Sequence, residues 1–158
     1  MFPLESDRST TPIDGDFAAD LVITDQHEAF VKQWSTLRER PDHWPRLHLA
    51  ESTQRRRRVH AVIIFRGCAG SDDEFCSMTL DFLVRRPDGS EYGAAKGRIL
   101  WDGNEPPPDG RLFYVGGPYL EFIPEEEDPL GDYEFIAIIR SPSAASEIVL
   151  KRRLTVVK

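Results

Sequence analysis

Residues 133–140, YEFIAIIR, constrain the fold more than any other stretch, because they are apolar on both faces of an extended strand. Tyr133, Phe135, Ala137 and Ile139 fall on one side, and Ile136 and Ile138 on the other. A strand of this kind belongs inside a sheet, since an edge would leave apolar side chains in water. The turn before it is specified locally: Pro129 fixes one backbone angle, and Gly131 permits one that other residues resist.

The rest of the chain supplies partners for that strand. Residues 59–65 (VHAVIIF) are again apolar on both faces and read as a central strand. Residues 76–84 alternate, with Cys76, Met78, Leu80, Phe82 and Val84 facing the core and Ser77, Thr79 and Asp81 facing away. After the turn at Pro87, Asp88 and Gly89, residues 92–101 return as the next strand or as a pair of short ones. Residues 102–110 (DGNEPPPDG) are a surface loop. Residues 112–115 and 119–123 read as two strands flanking the Gly116-Gly117-Pro118 break, and 147–156 pair back as the final strand after a polar connection at 141–146. With 11 glycines and 12 prolines, the composition favours strands joined by turns over a helical bundle.

One segment has a different period. Within residues 25–40, Phe30, Trp34 and Leu37 are spaced i, i+4, i+7, with Asp25 as candidate cap and Glu28 completing a capping box. Residues 41–45 (PDHWP) end that helix. Trp34 and Trp44 then mark the seam between helix and sheet, and Leu47 and Leu49 a short extended segment. Residues 17–24 form a first strand around LVI. The expected organisation is a flexible N-terminal arm, 1–16, and one domain, 17–158.

The DPLGDY turn and its strand resemble the tyrosine corner of immunoglobulin-like domains, where an Asp and a Gly precede a Tyr near the start of the penultimate strand. The same segment is similar to the ends of bacterial periplasmic immunoglobulin-like and macroglobulin-type domains. The likeness covers about the last thirty residues. It departs from the antibody pattern twice: Asp128 stands five residues before Tyr133 instead of four, and Phe135 stands where a cysteine would. The resemblance implies an all-β, immunoglobulin-like sandwich of seven or eight strands with a short helical insertion near its start. It also implies a non-catalytic binding or structural module contacting an envelope protein, with Gly131 and Tyr133 as its structural anchor.

Composition narrows the partners. A net charge of −7, from 27 acidic and 20 basic residues, disfavours nucleic-acid and anionic-membrane binding. No run approaches the length of a membrane span. The opening MFPLESDRST has neither a basic leader nor an apolar core, so the expectation divides between a cytoplasmic protein and a periplasmic or extracellular one whose leader is removed. Cys68 and Cys76 flank the short polar stretch AGSDDEF, and a bond between them would close a loop worth about 2.5 kcal/mol of chain entropy. That pairing favours an oxidising compartment, and two reduced thiols in the cytoplasm are the alternative.

Few patterns carry chemistry. His43 and His48 have no third ligand nearby, so no metal site and no cofactor are expected. Two acidic loops, Asp72 to Glu74 and Glu125 to Asp128, lack calcium-loop spacing. No nucleophile elbow or phosphate-binding glycine loop occurs, and pairing Glu121 with Glu125 or Asp81 as a hydrolytic couple needs a shared cleft. No catalytic residue is therefore assigned. Candidate partner contacts are the basic run Arg55, Arg56, Arg57 and Arg58, read first as a solvated loop, and three aromatics beside turns, Trp101, Tyr114 and Tyr119. Exposed together, those aromatics would grip a peptide or stack on a sugar; a carbohydrate-binding module is the second reading and a small hydrolase the third.

Overall fold

The computed structural model describes residues 17–37, 49–68, 76–104, 114–141 and 146–158. In chain order the elements are β1 (Ala18–Thr24), α1 (His27–Leu37), β2 (Ser52–Gln54), β3 (Val59–Arg66), β4 (Met78–Arg85), β5 (Glu91–Trp101), β6 (Tyr114–Phe122), β7 (Gly131–Ser141) and β8 (Ser146–Val157). They build two sheets, one of three strands ordered β1-β3-β6 and one of five ordered β2-β8-β7-β4-β5. This arrangement is consistent with an immunoglobulin-like sandwich carrying a helical insertion. The two runs that are apolar on both faces occupy interior positions: β3 lies between β1 and β6, and β7 between β8 and β4.

The core lies between the sheets. Leu21, Ile23, Ala61, Ile63 and Phe65 from the smaller sheet meet Leu80, Phe82, Tyr133, Phe135, Ile139, Leu150 and Leu154 from the larger one, all buried. The second row of β3 has its own cover. Val62 and Ile64, with Val22 of β1, pack on the outer face against Phe30 and Trp34 of α1. The helix is thus what allows β3 to be apolar on both sides.

Three elements differ from the sequence expectation. The helix opens later than Asp25 would place it: Gln26 offers the first accepting carbonyl, to the Phe30 N–H at 2.9 Å, while Thr24 Oγ1 takes the Gln26 N–H. Gly116, Gly117 and Pro118 do not divide two strands but run inside β6, an edge strand whose register with β3 shifts at these residues. Before the basic run, the polar β2 pairs in parallel with the end of β8. The proposed arm, 1–16, together with Trp44, His43, His48, Leu47 and Asp72 to Glu74, lies outside the described residues.

Cys68 and Cys76 form a disulfide with a Cα–Cα distance of 6.0 Å. It ties the exit of β3 in one sheet to the approach of β4 in the other. On one side of the sandwich, Arg152 occupies the inward register of β8 between Leu150 and Leu154. Its Nε–H donates to the Leu21 carbonyl at 2.9 Å, and its guanidinium stands 3.7 Å from the carboxylate of Asp20, which is 1% exposed. This partly buried cation bridges β1 and β8 across the seam between the sheets.

Candidate functional site

Among the described residues, two aromatic groups occupy different parts of the core, and one of them ends at an open pocket. The closed group surrounds Tyr133, whose ring meets Phe122 at 5.3 Å and Tyr92 at 5.9 Å between centroids. The Tyr133 hydroxyl donates to the Pro129 carbonyl at 2.7 Å, the backward bond of a tyrosine corner. Gly131, at a φ of 127°, makes the turn, and a Cβ there would come within 3.2 Å of Pro87. Beside it the Tyr92 hydroxyl donates to Asp128 at 2.9 Å, and the same carboxylate oxygen accepts the Glu125 N–H at 2.7 Å. Burial, then the Asp128 hydrogen bond and charge, push the Tyr92 phenol up to about 12.

The basic run closes over this corner. Arg55 donates twice to the Asp128 carbonyl, from Nε at 3.1 Å and Nη2 at 2.7 Å. Arg56, at a φ of 68°, pairs with Glu126 at 3.0 Å, and Arg58 stands 3.4 Å from Glu121. Arg57 is exposed. Two features that look separate in sequence, the arginines and the Glu125 to Asp128 stretch, are therefore the two halves of one clasp. Arg55, Arg56 and Arg58 are thus each engaged within the chain.

The open group lies between the last residues of β5 and the first of β6, at the mouth of the sandwich. Trp101 and Tyr114 meet edge to face at 5.3 Å, and Phe65 lies beneath them, 6.0 Å from Trp101 and 5.7 Å from Tyr114. They wall an open pocket of about 370 Å³ whose lining also includes Ile99, Leu100, Asp102 and Val115. Ile99 is 62% exposed. A Cβ on the neighbouring Gly116 would fall 2.6 Å from the Leu100 Cδ1, so the Leu100 side chain packs directly on the β6 backbone there. Of the three expected aromatics, the fold brings Trp101 and Tyr114 together and sends Tyr119 to the outer face of the small sheet. Ile99, Asp102 and Phe65 were missed, because nothing in their spacing shows that β5 and β6 face each other across the sandwich.

Tyr119 joins a different group. It lies 4.8 Å from the ring of His27 and 5.4 Å from that of His60, and the two imidazoles stack at 4.5 Å. Glu121 and Asp81 occupy the outer faces of opposite sheets, so they share no cleft and form no hydrolytic pair. Asp81 accepts the Gly97 N–H and, secondly, pairs with Arg140, and these hold its carboxyl below the usual range. Among the described residues no group of three or more His, Cys, Asp or Glu is placed to hold a metal, and no helix is long and apolar enough to cross a membrane.

No family model matches the chain, and no curated protein matches it. Solved structures similar to it include the C-terminal domain of wzt, at 13% identity and a TM-score of 0.45 over 98% of this chain and 79% of that one. A Niemann-Pick type C2 protein from the Japanese carpenter ant shows 14% identity and a TM-score of 0.42, over 67% of this chain and 79% of that one. The CARDB domain of a Pyrococcus furiosus protein shows 12% identity and a TM-score of 0.40, over 68% of this chain and 81% of that one. These distant likenesses single out no periplasmic immunoglobulin-like or macroglobulin-type family.

Proposed function

We propose that this β-sandwich is a non-catalytic binding module, working in the periplasm or outside the cell, that receives a protein partner at the pocket between Trp101 and Tyr114. The observation that carries the reading is the exposed Ile99 beside an aromatic-walled pocket. Apolar anchors around a concavity are what an inserted side chain buries against, and large aromatics concentrate binding energy at such centres. A flat sugar would instead need the two ring faces presented side by side, and here the rings stand at 68° to each other. The Cys68–Cys76 bond supports an oxidising compartment.

A photocrosslinking residue placed at Ile99, with the exposed Lys151 three strands away on β8 as control, tests the site in envelope extract. One discrete protein adduct at position 99, lost on Trp101→Ala, is the expected result. Equal labelling at both positions overturns the pocket, and protection by a glycan with no protein adduct replaces the protein reading with the carbohydrate one.

A further inference from the structure

We propose that His27 and His60 form an acid-released fastener that holds the first turn of α1 to the outer face of the small sheet. His27 is the first residue of the helix and His60 the second of β3, and neither has a sequence neighbour that announces the other. Their rings stack at 4.5 Å with an interplanar angle of 21°, and the Tyr119 ring packs against both. Neutral imidazoles tolerate this arrangement. Two imidazolium ions at that spacing repel each other, and the low exposure of His60, 13% of its side chain, limits screening by water.

The groups around the pair accommodate one proton better than two. Glu121 stands 3.4 Å from His60 Nε2 and favours a charge there, but the same carboxylate oxygen is shared with Arg58, also at 3.4 Å. On the helix side Glu28 is the one acid that favours a charged His27, opposed by the backbone N–H groups of the first turn. Strand β1 contributes Thr24, opposite His60 and without charge. Burial is the largest influence on each ring and lowers both below the ordinary 6.5; for His60 the neighbouring His27 adds to it. The folded state therefore prefers the neutral rings. The fastener is fully closed above pH 6.5 and weakens as pH falls below it. One turn along from His27, Phe30 covers Val22, Val62 and Ile64, so lifting the first turn uncovers an apolar sheet face in acid.

The full chain is titrated between about pH 8 and pH 5.5, which stays above its isoelectric point near 5.1. The His27 and His60 ring signals and amide hydrogen-exchange protection in α1 and β7 are followed together. Coupled titration below 6.5 is expected, with α1 protection falling ~10-fold while β7 protection holds. H27Q and H60Q should each abolish that fall. Independent titration at the ordinary value overturns the fastener, as does the same loss of α1 protection in both variants or a parallel loss in β7. If either glutamine variant loses β7 protection even at neutral pH, E121Q replaces it. Without that carboxylate the first proton must enter at lower pH, and an unchanged titration overturns the proposal.

Discussion

The corner around Tyr133 and the mouth around Trp101 use the same material to opposite effect. Ring centroids at the corner lie 5.1 to 5.9 Å apart, and those at the mouth 5.3 to 6.0 Å. What separates them is the neighbourhood of the rings. At the corner both hydroxyls are bonded, and Arg55 with Asp128 clasps the loop over them. At the mouth the rings end at a cavity and an exposed isoleucine. Aromatic density alone therefore does not distinguish a core from a site; what caps the rings does.

The contrast breaks most visibly at Tyr133. Y133A should lose about 3–5 kcal/mol in denaturant unfolding, as a large buried aromatic does, and Y133F about 0.5–3 kcal/mol for the hydroxyl bond. F135A serves as the control for the strand. Near-native stability for Y133A with F135A strongly destabilised would mean that the corner contributes no closure. Next comes G116A, which forces a methyl against Leu100 and should cost about 1–3 kcal/mol; a neutral result would show that the mouth yields where the corner does not. Trp101→Ala should cost less than Y133A, about 1–2 kcal/mol, since its ring is half-buried. A loss equal to that of Y133A would make the mouth a second core.

Two finer measurements address the clasp. The Tyr92 phenol titrates at about 12 when folded against 10.0 when unfolded, so the folded state favours its neutral form. Its contribution is intact below pH 10 and is lost as pH rises from 10 to about 12. Unfolding of Y92F across this range should show a shallower alkaline decline than the parent, and parallel curves would detach Tyr92 from the corner's closure. Replacing Arg56 and Arg57 together with serine should move the melting temperature by a few degrees at most, because both are exposed and surface ion pairs contribute little. A larger drop would assign the clasp to these two instead of Arg55.

The corner was legible in sequence and the mouth was not, for a physical reason. A tyrosine corner is local: Pro129, Gly131 and Tyr133 lie within five positions, so turn chemistry and strand alternation reveal it together. The interior places of β3 and β7 could likewise be read from their two apolar rows. The mouth and the histidine stack depend on which strand edges and which helix end the topology brings together, and spacing along the chain carries no record of that. Proline misled the reading at Pro118, because its effect depends on edge position, which alternation does not encode. Arg152 left a signal, a charge in the inward register of an otherwise apolar row, although its partner on β1 could be found only in the fold.

That arginine makes one long-range closure of the sandwich. Its bond to the Leu21 carbonyl spans 131 residues, and β8 also carries the parallel pairing with β2. The seam therefore joins the earliest described strand to the last, and it cannot close until both are present. Long-range closure of this kind slows folding and leaves strand edges unpaired meanwhile.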